Sequence, residues 1–154
     1  MDVISTLISD CKRSFIRLVR GSDRSLLSNS AKVADLLSAG DVHHIFPKEF
    51  LKKNGIDDKS MYNQVANYAY LDTGVNISIG KQAPQDYFTA ALNQCATKEL
   101  KVGTITENAA LRDNLAVNCI PADIFTMTAA DYEKFLKERR ILMAKKIKEY
   151  YNSL

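Results

Sequence analysis

Cysteine is scarce in this chain, and the cysteines present are too scattered to form a framework. Cys11, Cys95 and Cys119 are odd in number and include no Cys-x-x-Cys pair. The sequence therefore argues against a disulfide scaffold and against a zinc knuckle. We expect free thiols in a reducing compartment.

Long apolar runs are also lacking. No stretch approaches the roughly 18 apolar residues that a membrane span requires. Asp2 and Asp10 interrupt the apolar pattern at the N-terminus, which is therefore not typical of a secretory signal. Hydrophobic residues make up 46% of the chain and charged residues 25%, which are globular values. We expect a cytoplasmic protein without a membrane partner.

Charge of one sign is not in large excess. The chain has 21 basic and 18 acidic residues, for a net charge of +3. This balance is compatible with a phosphate-bearing partner, but many soluble proteins have the same balance. A P-loop, Gly-x-x-x-x-Gly-Lys-Ser/Thr, is absent, so the sequence contains no motif for binding a nucleotide.

Apolar residues at helical spacing predict that most of the chain is helical. Two short apolar runs, residues 42–46 and 67–72, predict strands. The result is an α+β, mostly helical fold with a short two-stranded hairpin embedded among helices. The predicted helices cover residues 3–19, 30–37, 48–54, 75–80, 84–93 and 107–117, and a last helix runs from a Thr128–Asp131 capping box to about Tyr150.

Both histidines of the chain are adjacent, at His43 and His44, within the first predicted strand. Hydrolysis of a phosphodiester needs a base for the attacking water, and neutral imidazole, with a reference pKa of about 6.5, can act as that base. It also needs a cation for the phosphate charge, which a divalent metal supplies. Neighbouring strand residues point to opposite faces, so the two rings can share this work only if the chain turns beside them.

Two asparagines follow the histidines at spacings that a compact unit could bring back to them. Asn76 could offer its amide oxygen to a metal from the first turn of a helix, and Asn67 could fasten the loop. Each residue also has an ordinary explanation. Histidines are most often surface or hydrogen-bonded core residues, asparagines occur in turns and caps, and the lysines Lys48 and Lys81 are by default solvated charges.

The combined pattern resembles the HNH endonuclease motif, whose fold is the ββα-metal finger. It is most similar to the C-terminal nuclease domain of GmrSD-type modification-dependent restriction enzymes and related phage-defence proteins. The residues that carry the resemblance are His44-Ile-Phe-Pro47, Asn67-Tyr-Ala-Tyr-Leu71 and Asn76-Ile-Ser-Ile-Gly80, with Pro84 and Tyr87 after them. A weaker likeness continues to Arg139.

The resemblance implies a role for each matching residue. His44 would be the catalytic base, and Asn67 would be the middle asparagine of the catalytic motif, with a structural role. His43 and Asn76 would bind one divalent metal, with Asp41 contributing through water. Histidine replaces the aspartate of many HNH sites, which favours borderline metals. Mg²⁺ is still expected, with Mn²⁺ or Ni²⁺ as alternatives. Lys48 and Lys81 would bind phosphates of the DNA.

The resemblance also implies an organisation within one domain. Residues 1–40 would form a helical segment that packs on or links to the nuclease core. Residues 41–94 would form the ββα-metal core, and residues 95–154 its C-terminal helical support. Because related restriction proteins carry an N-terminal nucleotide-hydrolysing domain, such a domain or subunit is a possible partner. A non-catalytic nucleic-acid-binding or interaction domain is the alternative function, and an RNA substrate also stays open.

Overall fold

The computed structural model describes residues 24–29 and 41–153, and of Asp41 it describes the backbone alone. The helices predicted over residues 3–19 and 30–37 lie outside these ranges, as do Cys11 and the Asp41 side chain. Within the described residues the protein is mostly helical and has a small antiparallel sheet of two strands. The predicted α+β class is therefore confirmed.

The strands and helices follow one another along the chain with short connections. The two strands are β1 (Asp41–His44) and β2 (Tyr68–Leu71). The helices are α1 (Lys48–Lys53), α2 (Lys59–Tyr62), α3 (Thr73–Ile79), α4 (Pro84–Thr97), α5 (Asn108–Val117) and α6 (Tyr132–Asn152). Single 3₁₀ turns cover Val65–Asn67, Ile124–Thr126 and Ala129–Asp131.

The sheet has one buried face and one partly open face. His43 lies opposite Ala69 in the antiparallel register, and both side chains are buried. His44 lies opposite Tyr68, and both of these are only half-buried. The strands are not joined by a tight turn, because α1 and α2 lie between them. The two histidines therefore face opposite sides of the sheet.

The first strand is shorter than the sequence predicted. It ends at His44, and the chain bends at Ile45 and Phe46. The helix α3 instead begins earlier than predicted. The Asp72 side chain accepts a hydrogen bond from the Gly74 backbone N–H at 2.9 Å, so Thr73 and Gly74 belong to the first helical turn.

The last helix confirms its predicted start. Asp131 Oδ2 accepts hydrogen bonds from the Thr128 N–H at 2.8 Å and from the Thr128 hydroxyl at 3.0 Å, and a 3₁₀ turn leads from this box into α6. The buried side of α6 includes Tyr132, Phe135, Leu136 and Met143, whereas Ile147 is half-buried. The exposed side includes Lys134, Lys137, Arg140, Lys145 and Lys148.

An aromatic cluster joins α6 to the bend that follows β1. The ring of Phe46 lies 4.7 Å from that of Phe135 and 5.2 Å from that of Tyr132. Each of these side chains is almost completely buried. Burial of one such side chain stabilises a fold by about 1.5–3 kcal/mol, so α6 is a firm support for the bend.

Arg139 of α6 is buried and acts as a second link to the sheet. Its Nη1 donates to the main-chain oxygens of Ala66 at 2.8 Å and Tyr68 at 2.6 Å, and its Nη2 donates to that of Asn118 at 3.2 Å. Burial lowers the pKa of Arg139 to about 10, so the guanidinium stays charged at neutral pH. The arginine thereby fixes the start of β2 against α6.

Two further predictions concern the thiols and the membrane. Cys95 and Cys119 are buried free cysteines, as the sequence analysis expected. Of the helices that the structure describes, none combines the length and the apolar character that crossing a membrane would demand.

Candidate active site

The buried face of β1 brings His43 into direct contact with α3. The Nδ1 atom of His43 lies 2.7 Å from the Oδ1 atom of Asn76. Because an amide oxygen can only accept, the ring donates its Nδ1–H in this hydrogen bond. The strand–strand–helix order of β1, β2 and α3 thus returns Asn76 to a residue that is 33 positions earlier in the chain.

The ring of His43 is almost completely enclosed. It is 4% exposed, and it meets the ring of Tyr87 in an edge-on arrangement with 6.0 Å between centroids. Burial lowers the pKa of His43 to about 4, although the hydrogen bond with Asn76 opposes this shift. The Nε2 atom is buried and has no hydrogen-bond partner among the described residues. His43 is therefore neutral at physiological pH and has an unused lone pair.

The spacing of the two donor atoms suits a divalent cation. Two neighbouring ligands of an octahedral ion, each about 2.1 Å from the metal, lie about 3.0 Å apart. The separation of 2.7 Å between His43 Nδ1 and Asn76 Oδ1 is close to this value. An ion at Nδ1 would take the place of the shared proton, and the neutral ring would then carry its proton on Nε2.

The donor set is small, which limits what it can hold. One imidazole nitrogen and one amide oxygen leave most positions of an ion to water and to a substrate phosphate, as is usual for Mg²⁺. Imidazole also suits Mn²⁺ and Ni²⁺. Within the described part of the chain no group of three or more histidine, cysteine or acidic side chains could hold a metal. The two residues therefore offer at most two protein ligands, and any ion held there would take its other ligands from water or a substrate.

His44 occupies the other face of the sheet and has different neighbours. Its Nε2 atom lies 3.0 Å from Oδ1 of Asn63, and its ring meets the edge of Tyr68 at 4.9 Å between centroids. Because the Asn63 oxygen can only accept, the ring proton is on Nε2. The Nδ1 atom then carries a lone pair and has no hydrogen-bond partner among the described residues.

The surroundings of His44 keep it neutral as well. Partial burial lowers the pKa of His44, the hydrogen bond with Asn63 raises it, and the positive charge of Lys48 lowers it. The net change is downward, so the ring is unprotonated at pH 7. A half-buried neutral histidine with a free lone pair is the state that a general base needs.

The structure brings some of the predicted site residues together and separates others. Asn76 contacts His43, whereas His44 contacts Asn63 on the opposite face. The chain bends only after His44, at Ile45 and Phe46, so this bend does not bring the two rings to one side of the sheet. When His44 is protonated, its charge lowers the pKa of His43, so the two rings are close enough to interact electrostatically.

Asn67 fixes that bend and does not reach solvent. Its Oδ1 accepts from the Phe46 N–H at 2.8 Å, and its Nδ2 donates to the main-chain oxygens of Phe46 and Tyr62, each at 3.1 Å. The residue is fully buried, so it cannot touch a substrate. Asn67 therefore has a structural role. It was grouped with the catalytic residues in the motif, but its burial prevents the contact with a substrate that a catalytic residue makes.

Tyr87 is the second fastening of the bend. Its hydroxyl donates to the main-chain oxygen of Ile45 at 2.6 Å, and the side chain is fully buried. Burial raises the pKa of Tyr87 well above its usual value, so the hydroxyl keeps its proton. Asn67 and Tyr87 therefore hold the chain rigidly just after the histidine pair.

The predicted phosphate-binding lysines are both exposed. The hydrogen bond and charge of Lys52 chiefly lower the pKa of Glu49, and the charges of Lys81 and Lys48 add to this effect. Lys48 also acts on His44. Both lysines therefore lie on the surface around α1, and Lys48 is the one beside the candidate base.

Asn63 was missed by the sequence analysis. It directly follows the four-residue helix α2, which shows no apolar periodicity and was not predicted. Nothing in the sequence indicates that this polar residue returns to His44. The only local signal is Asp58, whose side chain accepts a hydrogen bond from the Ser60 N–H and so begins α2.

Comparison with the models of known protein families, with curated proteins and with solved structures gives no match to this chain. A functional assignment therefore depends on the geometry of the residues described above. Two features of that geometry have chemical use: an imidazole nitrogen and an amide oxygen 2.7 Å apart, and a neutral histidine whose tautomer is fixed by an amide.

Proposed function

We propose that the protein is a metal-dependent endonuclease of the HNH type that hydrolyses phosphodiester bonds of DNA. In this proposal β1, β2 and α3 form a ββα-metal finger. The observation that supports it most is the 2.7 Å contact between His43 Nδ1 and Asn76 Oδ1, immediately beside a second histidine with a free Nδ1. The order of the two histidines, the buried asparagine and the helical asparagine is also that of the motif.

The two residues that would hold the cation are His43 and Asn76. A bound divalent ion supplies Lewis-acid stabilisation of the charge on the phosphate and on the departing 3′ oxygen. Mg²⁺ is the physiological candidate, and Mn²⁺ or Ni²⁺ are alternative activators. His43 is neutral because of its burial, so its ring can offer a nitrogen lone pair at physiological pH. Asp41 stays a proposed contributor through water.

His44 would act as the base. Its Nδ1 lone pair accepts a proton from the attacking water, and the ring becomes an imidazolium. Asn63 accepts the Nε2–H throughout, so it keeps Nδ1 available before the transfer and stabilises the charge on the ring after it. The lowered pKa of His44 keeps most of the protein in the active, neutral form at pH 7.

Restriction or phage defence in the cytoplasm is the biological setting that we propose, based on the resemblance of the motif. A nucleotide-hydrolysing domain or subunit would then be a further partner. Lys48 and Lys81 would contact phosphates without reading base sequence. Binding of nucleic acid alone does not require a proton acceptor such as the Nδ1 atom of His44, so this atom favours the hydrolytic function over the non-catalytic alternative.

Nicking of supercoiled plasmid DNA tests the proposal. With Mg²⁺ or Mn²⁺ present, the wild-type protein should nick the plasmid, and His44→Ala should lower the rate by about 10²–10⁴-fold, the usual effect of losing a general base. Lys145→Ala, an exposed change on α6, is the purification control and should nick at the wild-type rate. Equal nicking by His44→Ala refutes the role of the base. DNA binding without cleavage at any metal concentration establishes the non-catalytic alternative.

A further inference from the structure

A second positive charge, Arg140, is bonded to the residue that follows Asn63, the partner of His44. Arg140 is exposed on α6, and its Nη2 donates to Oε1 of Gln64 at 2.9 Å. Gln64 adjoins Asn63, which holds the His44 ring. The Nε2 atom of Gln64 donates to the Ser60 main-chain oxygen at 2.5 Å, so both polar atoms of the Gln64 amide are hydrogen-bonded.

A second route of contacts also connects Arg140 to the candidate base. Burial raises the pKa of Tyr132, the charge of Arg140 opposes that shift, and Tyr68 adds to it. Both Arg140 and Tyr68 are therefore close to the Tyr132 hydroxyl. Tyr68 in turn contacts the His44 ring. Arg140 is therefore connected to the surroundings of His44 through Tyr132 and Tyr68 as well as through Gln64.

The partners of Arg140 and Lys48 leave their charges available. Among the described residues no carboxylate is within ion-pair distance of either side chain, whereas Lys52, one turn after Lys48 on α1, is paired with Glu49 at 3.1 Å. Gln64 is neutral, so it orients the guanidinium without cancelling its charge. A planar guanidinium held in this way can bind a phosphate through two parallel hydrogen bonds.

We propose that Arg140 and Lys48 bind DNA phosphates on either side of the one that faces His44. The DNA strand would then pass His44 between α1 and α6. This inference rests on the proposed function for the identity of the partner. It adds the path of the DNA strand and a phosphate-binding residue, Arg140, outside the ββα segment.

Binding of duplex DNA without divalent cations tests this path. A fluorescent duplex of random sequence is titrated with protein in EDTA over a series of salt concentrations. Arg140→Gln should weaken binding about three- to tenfold and reduce the salt slope by about 1, the effect of one lost phosphate contact. Arg112→Gln is the matched control, because Arg112 is also exposed and bonded to a neutral amide, at 3.2 Å from Asn108 Oδ1, but lies on α5. It should bind as the wild type does.

The result that overturns the inference is wild-type affinity and salt slope for Arg140→Gln, or equal losses for both arginine variants. Preference for RNA over the duplex overturns it as well. Because EDTA prevents cleavage, the binding result does not depend on catalysis. If Arg140→Gln binds DNA more weakly but the wild type does not nick plasmid, the proposed DNA path is retained and the hydrolytic function is rejected. Where nicking occurs, Arg140→Gln should raise KM and leave kcat unchanged.

Discussion

The Oδ1 atom of Asn76 accepts a hydrogen bond from the Nδ1–H of His43 at 2.7 Å, across the junction of β1 and α3. A neutral hydrogen bond of this kind contributes only about 1 kcal/mol net, so a cation can displace it. The bond nevertheless keeps both donor atoms at the spacing of neighbouring ligands. If the proposed function is right, the site would be organised before an ion binds, which would lower the cost of ordering its ligands.

Asn63 should matter to catalysis through His44 alone. Asn63→Ala should lower kcat about 10–100-fold, because the ring loses the acceptor that fixes its tautomer and orientation. Asn63→Asp should restore part of the rate and raise the pKa of His44 through its negative charge. Since the base must be neutral, the acidic limb of the kcat/KM profile should move to higher pH in this variant.

The control for Asn63 is Asn54, which ends the preceding helix in the same way. Its Nδ2 donates to the Phe50 main-chain oxygen at 2.8 Å, and it is exposed. Asn54→Ala should change thermal stability slightly and leave the pH profile unchanged. If Asn63→Asp also keeps the wild-type pH profile, Asn63 has only a structural role.

Protonation of His43 should make stability depend on pH. Above pH 6.5 the ring is neutral in both the folded and the unfolded chain, so its titration has no effect. As the pH falls from 6.5 to about 4, the unfolded chain binds a proton that the folded protein does not, because burial holds the folded pKa at about 4. The free energy of unfolding should therefore fall by about 3 kcal/mol over this range.

Urea unfolding in EDTA at pH 7.5 and pH 4.5 measures this loss. Other groups also titrate between these values, so the comparison is with His43→Gln, which lacks the ring. The variant should lose clearly less stability on acidification than the wild type. Equal losses in the two proteins would show that His43 is not held neutral by its surroundings.

The adjacent arginines of α6 should differ sharply in their effect on stability. Arg139→Ala removes the donor to three main-chain oxygens and leaves a cavity, so the free energy of unfolding should fall by about 3 kcal/mol or more. Arg140→Ala, on the exposed side, should change it by no more than about 0.5 kcal/mol. Chemical denaturation of both variants checks this, and similar values for the two would contradict the buried role of Arg139.

The described helices other than α2 could be predicted because their signals are local. Pro84 suits the first position of a helix, and α4 begins there. The Thr128–Asp131 pattern likewise predicted α6, and its reciprocal hydrogen bonds are present in the structure. The end of α4 was less accurate, because the helix continues to Thr97, where Lys98 in a left-handed conformation (φ 63°) stops it. No residue type in the sequence marks that end.

A site residue could be predicted only where its position matches one in the HNH motif that the sequence resembles. Asn76 was placed beside His43 on the spacing and order of the motif. Asn63 could not be placed, because its contact with His44 depends on how the chain returns through residues 45–67. That path is set by the buried hydrogen bonds of Asn67 and Tyr87, which are long-range. Arg139 was missed as a buried link because arginine is rarely buried.

An anomalous-scattering map from crystals soaked in Mn²⁺ is the most direct test of the proposed metal centre. The account predicts a peak bonded to both His43 Nδ1 and Asn76 Oδ1, with the direct hydrogen bond between them replaced. The map would also show whether Asp41 contributes through water. An intact His43–Asn76 hydrogen bond, with no peak at this pair in Mn²⁺ concentrations that saturate nicking, would contradict the account.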